Sequence, residues 1–509
     1  MSQSRPAVLV IRNGLVLSAV DPTVQPLVED VVVQDGVIVA VGADAGRDLS
    51  GQPSTVVVDA TDQLVVPGFV NAHYHSHDVL AKGTMEEEFL EAWALRALPP
   101  SFPPRSREEI KVRTMLGALE CLRAGITTVQ DMVTLFPFDP EHLDAVIEAY
   151  TEIGIRAVVG PQYADKTGLQ TRQFWEEVFP KDMHHLLTSF AEPDPDFDLL
   201  AHLEERFRAA DPEGRISWAL APTAPESCTD DLIRRTVALA ETHDLPIFTH
   251  IYESKSMALE ARVDYAEHGG SLITWLSGLG MVGPRVNLAH SVWLLPEEID
   301  VLARTGTNVV FNVLSNLKLK SGIPPIAEVQ EAGISYALGC DNPSCSDSQN
   351  MFQAMKLTAT LNGISHPDPL SKQAEQVLHA ATRGGARAVL QEGRIGELEA
   401  GQRADLFTVD LHDPSWLPLN NVVRQLVYSE SGRGVRTVVV DGDVVVRNGR
   451  STKIDEAELR ARLAAVMPQF TADFAAITER VESLRPYLLE AHHRVWAENV
   501  GMNRQFTGA

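Results

Sequence analysis

Three histidines stand at alternate positions in "NAHYHSH": His73, His75 and His77. Alternation is the period of a β-strand, so all three can project from one face. A single buried face seldom needs three titratable rings. The same chemistry recurs farther along the chain: His250 in "PIFTHIYES" with Glu253 three residues later, His290 in "RVNLAHSVW", and Asp341 in "SYALGCDN". Three imidazoles and one carboxylate are a suitable donor set for Zn²⁺ or Fe²⁺, with a place left for water. Such an ion makes hydroxide available near neutral pH, and a neighbouring glutamate can move protons. His73 and His75 share a strand face and can reach one ion. His77 has the same parity but lies ~6–7 Å farther out, where the strand is expected to give way to a loop. It is therefore expected at the pocket rim.

These residues sit where apolar runs stop. From about residue 66 to 385, short runs alternate with helical patterns: "VVPGFVNAHYH", "GITTVQDMV", "GIRAVVGPQY", "ISWALAPTA", "PIFTHIYES", "RVNLAHSVW", "TNVVFNVLSN" and "SYALGCDN". Eight such units predict an α/β fold with a closed (β/α)8, TIM-like barrel, whose reacting groups belong at the C-terminal ends of the strands. His73 and His75 end strand one, His250 and Glu253 strand five, His290 strand six and Asp341 strand eight. Of the 16 histidines, His184, His185, His202, His243 and His412 read as ordinary core or surface rings.

Residues 1–65 and 386–452 carry short β signals punctuated by Asn13-Gly14, Asp35-Gly36 and Asp441-Gly442, dipeptides that favour hairpin turns. They predict a small β-sandwich built from both chain ends, with the barrel of residues 66–385 inserted. Residues 453–509 read as a helical C-terminal extension that could pack on the barrel, line a subunit contact or cover the pocket.

The 509 residues suffice for a large core and more than one domain. A formal net charge of -26 opposes binding to nucleic acid or an anionic membrane. No apolar run approaches the ~20 residues of a membrane helix. The N-terminus lacks the pattern of a signal peptide, and the four cysteines show no CxxC spacing and read as reduced thiols. A cytoplasmic setting is expected.

"VVDATDQLVVPGFVNAHYH", "FTHIYE", "LAHSVWLLPEEIDVLARTGTNVVFNVLSNLKLKSG", "ALGCDN" and "IGELEAGQRADLFTVD" together resemble the amidohydrolase superfamily over nearly the whole chain to about residue 450. The likeness is nearest to the branch of cytosine, guanine and S-adenosylhomocysteine deaminases and triazine hydrolases. The resemblance implies one divalent metal ion per chain, zinc by preference with iron, manganese or cobalt as alternatives, held by His73, His75, His250 and Asp341. His290 would hydrogen-bond the bound water or substrate, and Glu253 would shuttle protons. Strand four lacks the lysine that bridges two ions in other members, and Lys166 lies beyond strand three, so the site should be mononuclear. A homo-oligomer is also implied.

The strand-four end departs from the pattern. Many deaminases of the branch read Ala-Pro-His-Ala-Pro there, whereas this chain reads "APTAPESC", with Thr223 in the histidine's place. Further candidates for substrate contact are Trp93, Gln162, Asn312 and His77, while Glu86, Glu87 and Glu88 are expected to face water. The expected activity is hydrolytic deamination of a heterocyclic amine. Hydrolysis of an amide, carbamate, urea or N-substituted C–N bond is the alternative. A non-catalytic assembly protein would be expected to have lost some of the ligands, and all six residues are present.

Overall fold

In the computed structural model the described residues are 6–17, 25–49, 54–86, 88–98, 103–166, 172–187, 198–368 and 370–505. The apolar runs become parallel strands: Phe69–Tyr74, Ile126–Val133, Arg156–Tyr163, Ile216–Trp218 continued by Ala221–Pro222, Ile247–Ile251, Val286–His290, Asn308–Phe311 and Tyr336–Leu338. The first four units pair in order, as do the last four. Parallel bridges from Leu220 to Ile247 and from Tyr74 to Asp341 join the two sheets at both edges. The result is a TIM-like barrel. Val70, Met132, Val158, Phe248 and Val310 fill its interior below the site, and helices surround it.

Helix starts are set locally. Ser106, Asp139, Thr229, Ser254, Asn350 and Asp455 each accept a first-turn amide through the side chain. Such a cap stabilises a helix by ~1 kcal/mol.

Strands from both chain ends form one nine-stranded sheet, in which Gln63–Pro67 pairs with Leu406–Asp410. Among the described residues this is one continuous hydrogen-bonded sheet around its own apolar core. Asp35-Gly36 and Asp441-Gly442 do make turns with positive φ at both residues. Asn13-Gly14 does not. It is a bulge inside the single strand Val8–Val16, where the register shifts between Ile11 and Gly14. A Cβ on Gly14 would lie 2.3 Å from Val65 Cγ2, so close packing rather than chain reversal explains this glycine.

A buried ion pair ties sheet to barrel. Arg156 donates to both carboxylate oxygens of Asp405, at 2.8 and 3.1 Å. Removing one partner strands a buried charge, so Arg156→Ala is expected to lower unfolding stability by about 3–5 kcal/mol. Chemical denaturation checks this, and a loss below ~1 kcal/mol would contradict it.

The C-terminal extension is helical, as expected, running from Glu456 to Ala497 through Pro468 and Pro486. Ile477, Val481, Leu484 and Leu488 pack on Phe89, Leu95 and Phe179. Of the three places open to the extension, it packs on the barrel, and its last turns wall a cavity of about 590 Å³ beside the central pocket. No described helix is long and apolar enough to cross a membrane.

Candidate metal centre

Barrel closure creates the site. The bridge between Tyr74 and Asp341 sets strand one against the end of strand eight, and the Asp341 amide donates to the His73 carbonyl at 2.9 Å. Strand five aligns with strand six, placing Ile251 opposite His290. Gly339 permits the approach: a Cβ there would lie 2.7 Å from His73 Cβ and 2.2 Å from Asn312 Oδ1. His290 and Asp341 both take positive φ, at 68° and 60°. For a histidine that conformation costs energy and is found where a side chain must be aimed.

His73 Nε2 lies 3.2 Å from His75 Nε2, which lies 3.2 Å from His250 Nε2. Asp341 Oδ1 is 3.4 Å from both His73 and His75. Donors bound tetrahedrally at ~2.0–2.1 Å are separated by ~3.3 Å, so the spacing fits one divalent ion. The tautomers fit too. His75 Nδ1 faces the Met132 carbonyl at 2.7 Å and His250 Nδ1 faces the Thr223 carbonyl at 2.5 Å. With the proton on Nδ1, the Nε2 lone pairs of these two rings confront each other, an arrangement that a cation relieves.

The electrostatics favour the ligating forms. Burial pulls His73 down to about 4 and lowers His75 and His250 as well, so the rings are neutral at pH 7. Burial alone would raise Asp341. The hydrogen bond with His73 and the neighbouring imidazoles outweigh it and hold the carboxyl well below the usual range.

A proton path adjoins this cluster. His290 Nδ1 is fixed by Asn316 Oδ1 at 2.7 Å, while its Nε2 lies 3.5 Å from Glu253 Oε2 and 3.9 Å from Asp341 Oδ2. Burial pushes Glu253 up to about 7. Its unfolded value is near 4.5, so the stability it contributes is full below that pH and is lost as pH rises through about 7. Metal-free wild type should therefore lose melting temperature relative to Glu253→Gln between pH 5 and 8. Parallel melting curves for the two proteins would contradict this.

The pocket above spans about 830 Å³ and is lined by His75, His77, Trp93, Gln162, Thr223, His250, Glu253, His290 and Asp341, among others. The Thr223 hydroxyl is buried without a partner, so it is available to a ligand. Trp93 donates to Ser344 at 2.8 Å. Gln162 touches the pocket but spends its amide on the Met132 carbonyl and Thr134, at 2.9 Å each. His77 belongs to the turn Ser76–Ala81 that follows the strand and is buried in the pocket wall.

Two expectations need correction. Asn312 is absent from the lining and instead reaches His290, with Nδ2 3.4 Å from its Nε2. Glu88 is buried against Arg96 at 2.9 Å, because the C-terminal helix covers it. Glu86 is exposed, and Glu87 lies outside the described residues. Lys166 lines a different cavity. Residues missed in the sequence include Glu91, Arg172, Leu319 and Asn342. Glu91 accepts from Ser254 at 2.7 Å and adds a carboxylate to the wall, yet in the sequence it resembles any surface helix glutamate.

The family model described as Amidohydrolase family matches residues 64–445. A 5-methylthioadenosine/S-adenosylhomocysteine deaminase of Nitratidesulfovibrio vulgaris is 31% identical over 458 residues, covering 89% of this chain and 95% of its own. A 5'-deoxyadenosine deaminase of Methanopyrus kandleri is 30% identical, covering 80% and 87%. Among solved structures, an adenosine deaminase from Xanthomonas campestris with bound zinc superimposes with a TM-score of 0.75 at 29% identity, covering 94% and 100%. An atrazine chlorohydrolase from Arthrobacter aurescens complexed with zinc gives 0.75 at 25%, covering 90% and 100%. With a barrel whose strand ends converge on His73, His75, His250 and Asp341, and with that match across most of its length, the chain belongs to the amidohydrolase family.

Proposed function

We propose that the protein is a mononuclear metal-dependent aminohydrolase that removes ammonia from a heterocyclic amine. The observation that carries this is the line of proton-handling groups from Asp341 Oδ2 past His290 to Glu253, at 3.9 and 3.5 Å. An amine departs only when protonated, and Glu253, with its affinity near neutrality, is suited to hold that proton.

His73, His75, His250 and Asp341 would hold the ion, which when bound lowers the pKa of a water and so supplies a nucleophile at neutral pH. Asp341 takes the water's proton at its free oxygen. His290, its Nδ1–H donated to Asn316 Oδ1, turns the Nε2 lone pair to the proton that passes between Asp341 and Glu253. Glu253 protonates the ring nitrogen. It then receives the water's proton from Asp341 past His290 and gives it to the leaving amine, and regains its own from the hydroxyl as the product carbonyl forms. Glu91 and Arg172 put one carboxylate and one guanidinium in the wall beside Glu253. Thr223 faces the substrate with a hydroxyl where deaminases of the branch carry an imidazole, so the ring-distal contacts differ from theirs.

Support comes from relatives whose names record deaminase activity and from neighbours solved with zinc. The proposal includes zinc as the ion, a sandwich made by the curled nine-stranded sheet, a homo-oligomer and a cytoplasmic setting. Ammonia release across aminopurines, aminopyrimidines, pterins and aminotriazines tests it. Ammonia from a ring amine is expected. An alcohol, acid or substituted amine released instead would move the assignment to amide-, carbamate- or urea-type hydrolysis.

A further inference from the structure

The Trp93 indole is tied into the pocket wall by a hydrogen-bond chain that the proposed proton path does not use. Trp93 stands on the helix Leu90–Ala97, is buried, and lines the pocket above the metal centre with Thr223 and Leu319. Its Nε1–H donates to Ser344 Oγ at 2.8 Å. Ser344 Oγ donates in turn to Asp78 Oδ2, and the Ser344 amide donates to that same oxygen at 3.3 Å. Ser344 and Asp78 are both buried.

The chain runs in one direction. An indole nitrogen can only donate, so the Ser344 oxygen is the acceptor and its own proton must go elsewhere. Asp78 Oδ2, which already faces the Ser344 amide, accepts it. An indole turned away from the serine would leave buried polar atoms unpaired, which costs more than the bond itself contributes. The two members that hold the indole come from the loops next to the metal donors. Asp78 follows His75 by three residues, in the turn Ser76–Ala81, and Ser344 follows Asp341 by three, in the short helix Pro343–Ser346. The ring is thus referenced to the ends of strands one and eight as well as to its own helix.

We propose that Ser344 and Asp78 are positioning residues that set the Trp93 ring against the substrate, so that substrate recognition and the metal donors share one frame. This rests on the reading above only in taking the pocket over the metal centre as the substrate's place. The first readout needs no substrate. In full-length protein with ¹⁵N-labelled tryptophan, the Trp93 indole resonance is assigned by its disappearance in Trp93→Phe. It is expected to shift in Ser344→Ala and Asp78→Ala, and to stay near its place in Asp78→Asn, whose side chain keeps an accepting oxygen. The second readout is steady-state kinetics of metal-loaded protein on the most active compound among the ring amines above and simple amides and carbamates. Ser344→Ala should raise KM by about fivefold, the worth of one hydrogen bond, with kcat within about twofold. In Trp93→Phe the same change should add nothing to KM, because the donor is already gone. An indole signal unmoved in Ser344→Ala, a fall in kcat at constant KM, or KM effects that add in the double variant would overturn the proposal. So would the absence of turnover of every compound. Turnover of amides or carbamates alone would count against the deaminase reading and leave the positioning test in force. Should Asp78→Ala fail to fold, Ser344→Ala and Asp78→Asn decide it.

Discussion

His73→Ala is expected to fold, to lose its metal and to lose at least about 10⁴-fold in kcat/KM, since without the ion no nucleophile is generated near pH 7. The position is unusually exposed to this substitution in a functional sense while being fully buried in a structural one. Its Nε2 is within 3.4 Å of both His75 and Asp341, and its ring packs against those of His250 and His290 at centroid distances of 4.9 and 5.4 Å. Truncation therefore leaves His75, His250 and Asp341 without the donor they surround. Nothing else in the fold hangs on the ring, because its Nδ1 makes no hydrogen bond. Elemental analysis and circular dichroism separate the two effects: native ellipticity with metal absent is expected. A variant that retains stoichiometric metal and wild-type turnover would show that His73 is not a ligand.

Glu253→Gln should behave in the opposite way, keeping the metal and losing turnover by about 10²–10⁴-fold, the range of a single general acid–base group. The amide preserves size and its place near His290 but cannot carry a proton. Since the carboxyl faces His290 at 3.5 Å and the substitution leaves the proposed set of His73, His75, His250 and Asp341 intact, metal content should not change. The loss should fall on kcat more than on KM. Full activity would remove the proton-shuttle role. Loss of metal along with activity would instead make Glu253 a ligand.

Much of this site was legible in the sequence because its side chains occupy strand ends, and strands announce themselves as apolar runs. His73, His75, His250, His290 and Asp341 could be read from that coincidence. That they make a metal donor set, with His73 and His75 on one strand face, could be read from the residues; the choice of His250 over His290 as a ligand came from the resemblance. What supports them was not legible. The carbonyls of Met132 and Thr223 that fix two tautomers have no side-chain signature, and Asn316 is one polar residue among several in its loop. Asn312 was read as a substrate contact because adjacency to a strand end does not say whether a side chain lines the pocket or is spent on a neighbouring ring, here His290.

The same limit explains the errors at the periphery. Asn13-Gly14 carries the composition of a turn, but a bulge meets the same backbone demand, and only the pairing with Leu27–Gln34 distinguishes them. Glu88 reads as solvated until the helix Glu456–Ala497 is laid across it. Burial by distant elements leaves no local mark.

The most direct test of the proposed chemistry is a single measurement on metal-loaded and chelator-treated protein. Turnover of a ring amine is followed in ¹⁸O-water, with ammonia and product mass recorded together. The proposal predicts one ammonia per product, one labelled oxygen at the former amine carbon, and neither in the chelated protein until metal is restored. Ammonia release that survives removal of the ion, or product without the solvent label, would contradict it.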